Sequence, residues 1–190
     1  MKKTVYTIFS VLFGSLFLYS CETCDNPTIT ATTAEDNKWL VYDYINYYNP
    51  LFENEQDSLI KSFKFQNFIT QNVPGEGSSL TDDCIESLDT QVFAHIADTT
   101  KRYPALYTYI LKRPDTLEVR VAIENRGDWA IDKENPTYET LEVNGFDYMD
   151  VYEINPDSVK ANSVKQILFN KEYGFLKVDF YDGRQLRLFR

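Results

Sequence analysis

The sequence predicts a mainly β protein: an antiparallel meander curled into a half-barrel or barrel, with a two-sheet sandwich as the alternative and little helix. Three observations carry this. Leu117, Val119, Val121 and Ile123 alternate with Glu118, Arg120, Ala122 and Glu124, the period of two that marks a half-buried strand. Pro114-Asp115, Asn144-Gly145 and Asp182-Gly183 punctuate the second half as turns, and sequential strands joined by tight turns usually pair as neighbours. No stretch carries a long apolar stripe at helical spacing.

Along the chain, Met1-Lys2-Lys3 precedes an apolar run from Val5 to Leu18. A spanning helix needs about 20 apolar residues, so the run reads as a secretory signal, residues 1–20. Residues 21–36 are polar and read as a tether. Residues 37–190 read as one β-rich domain. "KWLVYDYINYY" (38–48) is dense in aromatic and β-branched residues, which favour strands. Trp39, Val41, Ile45 and Tyr47 share one face; Leu40, Tyr42, Tyr44 and Tyr48 share the other. A strand covered on both sides is expected there. Asn49-Pro50 turns the chain into a strand over 57–70, and 72–83 is a Gly-, Pro- and Ser-rich loop. Residues 80–88 have room for one helical turn, and 91–97 form a further strand.

The hairpins after residue 100 allow register to be stated. A loop from Arg113 to Thr116 sets Ile110 opposite Val119 and Leu106 opposite Ile123. Asn144-Gly145 tolerates positive φ at both positions, which sets Val143 against Phe146 and Leu141 against Tyr148. A two-residue turn at Asp182-Gly183 would oppose Val178 to Arg187. A slip of one residue flips every side chain, so a three-residue loop, Tyr181 to Gly183, is expected instead. It opposes Val178 to Leu186 and Leu176 to Leu188, with Gly183 left-handed. The count comes to about nine or ten strands.

Leu18-Tyr19-Ser20-Cys21 resembles the lipobox of bacterial lipoproteins. The resemblance implies cleavage before Cys21 and acylation of its thiol and amino group, hence an anchor in the cell envelope. Two or three acyl chains hold a protein on a membrane where one binds reversibly. The C-terminal Lys171-Glu172-Tyr173-Gly174-Phe175-Leu176-Lys177-Val178 is similar to a strand–turn–strand ending of small Bacteroidota lipoproteins. The preceding "NGFDYMDVYEI" is similar to the hairpin found before it. These motifs imply an outer-membrane lipoprotein on the periplasmic face or cell surface, and carry over no catalytic residue. With Cys21 lipidated, Cys24 and Cys84 remain. Outside the cytoplasm such a pair reads as a disulfide, closing a loop of about 60 residues for roughly 4 kcal/mol. Two thiols or a redox pair are the alternatives.

A formal charge of −10 argues against nucleic acid as a partner, since phosphates would be repelled. The single histidine, His95, supplies no multi-histidine metal site. It lies in an apolar strand, where a packed or edge histidine is expected. No GxSxG, HExxH or phosphate-cradling glycine loop is present. Asp82-Asp83, Asp147 and Asp150 read as solvated charges. Arg126-Gly127-Asp128 falls where a turn is needed. No metal or organic cofactor is expected, and the role read from the sequence is non-enzymatic.

Asp57-Ser58-Leu59, Asp98-Thr99-Thr100, Asp115-Thr116-Leu117 and Asp157-Ser158-Val159 resemble the Asp-Ser/Thr-apolar acceptor of Bacteroidota O-glycosylation. Ser58, Thr99, Thr116 and Ser158 would be the sites; turn capping by Asp and Thr is the other account of the pattern. Two functions from different classes follow. One is an accessory module that contacts an envelope protein partner. The other is a carrier that holds a lipid or other apolar ligand inside a curled sheet, with Tyr42, Tyr44 and Tyr48 on its wall. Palmitate labelling in a lipoprotein-processing bacterium checks the anchor: label enters the native chain and is absent from Cys21→Ala, which leaves the membrane fraction.

Overall fold

The computed structural model describes residues 26–42, 49–54, 59–82, 84–157, 160 and 163–190. In chain order these form β1 (Thr28–Thr30), α1 (Ala34–Asn37), a 3-10 turn (Lys38–Leu40), β2 (Leu51–Asn54), β3 (Leu59–Pro74), β4 (Ser87–Asp98), β5 (Leu106–Lys112) and β6 (Leu117–Ile123). Then follow β7 (Gly127–Ile131), β8 (Tyr138–Val143), β9 (Phe146–Ile154), β10 (Val164–Asn170), β11 (Gly174–Phe180) and β12 (Gln185–Phe189). Twelve strands stand among the described residues, more than the count expected from sequence, because short β1, β2 and β7 carry little alternation of their own.

The chain divides into two compact units, Met1–Thr28 with Pro74–Leu88, and Ile29–Val73 with Asp89–Arg190. In the first, the Thr28 N–H donates to the Glu86 carbonyl at 3.0 Å and the Gly75 N–H to the Ser87 carbonyl at 2.9 Å. The expected loop starts later than the sequence suggested, since β3 runs on to Pro74. The helical turn expected within 80–88 is replaced by a single turn in which Asp82 N–H bonds the Ser79 carbonyl; Ser87 already belongs to β4.

The second unit is the sheet. Its strand order is β7-β6-β5-β4-β3-β2-β12-β11-β10-β9-β8. All eleven strands run antiparallel and curl through 256° into a half-barrel. Two meanders, β2 to β7 and β8 to β12, meet where β12 pairs with β2. The hairpin registers are those the turns dictate. Ile110 faces Val119 and Leu106 faces Ile123. Val143 faces Phe146 and Leu141 faces Tyr148, with Asn144 at φ 53° and Gly145 at φ 80°. Val178 faces Leu186, and Gly183 sits at φ 88°. Period-two alternation then places Val92, Ala94 and Ile96, Val119, Val121 and Ile123 in the core.

The strand expected over 38–48 is corrected where it is described. Lys38–Leu40 form a 3-10 turn and Val41 takes φ 60°; residues 43–48, with Tyr44 and Tyr48, lie outside the described residues. The cause lies just upstream, in the polar segment read as tether. Thr33 Oγ1 accepts from the Asp36 N–H at 3.1 Å, and Asp36 Oδ2 accepts from the Thr33 N–H at 2.9 Å. This reciprocal capping box starts a helical turn that carries Trp39 and Leu40 into the core, where both are buried. The buried Thr108 hydroxyl donates to the Leu40 carbonyl, and Lys171 reaches Glu35 at 2.7 Å. β-Propensity measures fit to a pleated surface, not an obligation of the backbone, and here local capping prevails.

Tyr42 closes the core. It is fully buried, lies parallel to Phe175 at 6.4 Å and accepts the Phe175 N–H on its hydroxyl oxygen at 2.8 Å. Gly174, at φ 78°, lets it approach: a Cβ there would stand 2.2 Å from the Tyr42 hydroxyl oxygen. Tyr42→Phe strands a buried N–H, so urea unfolding should show a loss of about 1–3 kcal/mol.

Candidate functional site

The side chains on the core faces of β4, β5 and β6 fill the interior, so the opposite face carries what remains. On β4 that face presents Phe93 and His95; on β5 it presents Tyr107 and Tyr109. The register sets Phe93 beside Tyr109 and His95 beside Tyr107. The first pair of rings lies 5.2 Å apart and tilted by 36°; the second is stacked at 4.5 Å and 12°. Continuing across, Tyr107 faces Ala122 of β6, and Ala122 faces Asp128 of β7. A methyl group thus stands where its neighbours carry rings and charges. The result is a groove of about 920 Å3, with Asn67, Gln71 and Gln91 along one rim and Glu124 and Asp128 along the other.

The polar groups have defined states. Asp128 accepts from the Tyr109 hydroxyl at 3.0 Å and pairs with Arg120. Burial, with that hydrogen bond, pushes Tyr109 up to about 12. Burial first, then the nearby Glu124 carboxylate, raises Tyr107. Burial lowers His95, against an opposing pull from Glu124, so the ring is neutral at pH 7. His95 Nδ1 stands 3.2 Å from Asn67 Oδ1. An amide oxygen only accepts, so Nδ1 carries the proton and Nε2 is an acceptor. That atom is buried and has no hydrogen-bond partner among the described residues. The packed histidine expected from sequence is found, but it also faces a groove.

A second depression of about 360 Å3 lies over β8 to β12, lined by Tyr138, Gln166, Lys177 and Arg187 among others. It lacks paired rings. Among the described residues no group of three or more His, Cys, Asp or Glu is placed to hold a metal ion, and no helix is long and apolar enough to cross a membrane.

The remaining sequence-derived residues are scattered. Cys21, Cys24, Ser58, Asp83 and Ser158 lie outside the described residues. Cys84 is exposed in the segment before β4; Thr99 and Thr116 are exposed at strand ends. Asp98 is accounted for by capping. Its carboxylate accepts from the Thr100, Arg102 and Tyr103 N–H groups at 2.9, 2.9 and 3.2 Å. Asp82, Asp147 and Asp150 are exposed. Arg126 lies in the β6–β7 turn, whereas Gly127 already opens β7 and Asp128 is held by Arg120. Tyr42 is a core residue, not a wall. No family model matches the chain, and neither does any curated protein or solved structure.

Burial pushes the Asp98 carboxyl up, but its hydrogen bonds to Thr100, Arg102 and Tyr103 outweigh that and leave it lowered from 3.8. A lowered folded-state pKa contributes stability that is complete above the unfolded value and is lost as pH falls through the folded one. Asp98→Ala should therefore cost about 1–3 kcal/mol near pH 7. In chemical denaturation at stepped pH, that difference should shrink once pH drops below 3.8.

Proposed function

We propose that this chain is a non-enzymatic, lipid-anchored module of the bacterial cell envelope that binds a saccharide chain in the groove across β3 to β7. The observation that carries the reading is the row of paired rings, Phe93 with Tyr109 and His95 with Tyr107, in one groove rimmed by amides. Sugar rings offer apolar C–H faces to aromatic planes, which bring large contact area in fixed geometry. Their hydroxyls exchange hydrogen bonds with Asn67, Gln71 and Gln91 along the rim. The volume falls in the range of known ligand sites, roughly 300–1,000 Å3.

The filled interior favours a ligand on the outer face over an apolar cargo inside the sheet: Phe52, Phe63, Phe169 and Phe175 are each 0% exposed. Anchoring through Cys21 would place the groove beyond the cytoplasm, where envelope and environmental glycans occur. A Cys24–Cys84 bridge belongs to the same reading. It is supported by the Thr28–Glu86 hydrogen bond, which brings the two segments side by side. Contact with an envelope protein is a second reading, favoured by Phe68 and Ile69, 42% and 46% exposed on β3.

The full chain in detergent, titrated with neutral and acidic oligosaccharides and followed by calorimetry, tests the groove. At least one oligosaccharide should bind saturably, and Ala122→Phe, which fills the floor, should weaken it about tenfold or more. Absence of saturable binding throughout the series, or equal affinity in Ala122→Phe and Tyr107→Ala, would overturn the assignment.

A further inference from the structure

At one end of the groove the acidic chain turns basic. The β4–β5 loop brings Lys101 and Arg102, the β6–β7 turn brings Arg126, and the β11–β12 turn brings Arg184. The four line a cleft of about 280 Å3 that shares Glu124, Asn125 and Arg126 with the groove. This gathering runs against a formal charge of −10 for the whole chain.

The two inner guanidinium groups share a support. Arg126 lies 4.8 Å and Arg184 5.4 Å from the centre of the Phe180 ring. Arg184 acts on Arg126 as a like charge, and a carboxylate beside them is the ordinary remedy. One carboxylate serves the two unequally: Asp182 pairs with Arg184 and acts on Arg126 only through space. Both oxygens of Asp182 accept from Arg184, at 2.7, 2.9 and 3.0 Å. Glu124 accepts the Ala105 N–H at 3.0 Å. Asp98 caps its own loop. Arg126 Nη1 is buried and has no hydrogen-bond partner among the described residues. Burial first, and then Arg184, lower the Arg126 pKa from 12.5, against an opposing pull from the Asp182 carboxylate, the direction expected where desolvation of a cation is not fully offset.

We infer that this cleft is an anion site, in which the Arg126 guanidinium and the Lys101 and Arg102 side chains hold an oxyanion — carboxylate, phosphate or sulfate — carried by the ligand of the groove. Arginine suits the task because its planar fork donates to two oxygens at once. An oxyanion there supplies Arg126 with the counter-charge that Asp182, bound to Arg184, gives it only through space. The ligand class becomes an acidic saccharide, with neutral rings on the Tyr107 side and its charge beside Arg126. The identity of the ligand body rests on the groove assignment; the anion site is testable without it.

The test uses the full chain in detergent, titrated calorimetrically with sodium phosphate, sodium sulfate and sodium glucuronate at ionic strength fixed with sodium chloride. At least one of the three should bind saturably, and the tightest identifies the oxyanion. Arg126→Met keeps the packing on Phe180 and should weaken that binding about tenfold or more. Arg102→Ala, at an exposed position, should weaken it about threefold. Ala122→Phe blocks the groove and should leave small-anion binding unchanged, so failure of the groove and failure of the anion site are read separately. Heats that fail to saturate for all three salts would overturn the inference. So would saturable binding retained by both Arg126→Met and Arg102→Ala.

Discussion

The antiparallel pairing of β12 with β2 is the constraint on which the rest of the sheet depends. Leu188 faces Phe52 and Arg187 faces Glu53 across it. It joins two meanders that otherwise share no strand, and so turns two open sheets into one half-barrel with a common interior. Phe52 and Leu188 are both fully buried at this seam, each contributing about 1.5–3 kcal/mol over an exposed position. A short strand suffices because packing on the core face supplements the hydrogen bonds. The outermost strands, β7 and β8, follow one another in sequence. The Tyr152 hydroxyl donates to the Lys133 carbonyl in the segment between them.

A joined sheet has an inside, and this one is filled from two sources. Strand alternation supplies most of the side chains, and the capped segment from Thr33 to Tyr42 supplies Trp39, Leu40 and Tyr42. Trp39 meets Tyr152 edge-on at 5.7 Å, so the same segment reaches across to the second meander. With the interior filled, chemistry is displaced to the outer face. The groove exists there because Ala122 follows ring-bearing Tyr107 in the register, a consequence of pairing and not of any motif. The basic cleft arises similarly, from three turns at one end of the half-barrel.

How far all this was legible varies by element. Hairpin registers were legible because the turns leave few geometries: asparagine-glycine needs two positive φ values, and a core-facing arginine rules out the shorter last turn. Those registers also contained the groove in outline. If Ile110 faces Val119, then Tyr109 faces Arg120 and Tyr107 faces Ala122. Considered alone, His95 reads as a packed or edge side chain, because its partners Asn67 and Tyr107 come from other strands. The stretch from Lys38 to Tyr42 departs from its β-like composition for the opposite reason. Its composition is β-like, but the deciding signal, Thr33 with Asp36, lay in a segment set aside as tether.

The sequence by itself determined the class of fold, the tight hairpins and the inward and outward faces of β4 to β6, since period-two alternation and turn chemistry act over a few neighbouring residues. Tertiary structure alone decided that β2 seeks β12, that Trp39 and Leu40 plug the half-barrel, and that Lys101, Arg102, Arg126 and Arg184 converge. Each of these brings together residues far apart in the chain. Such pairings are selected by the free energy of the whole packed core, to which no local pattern corresponds.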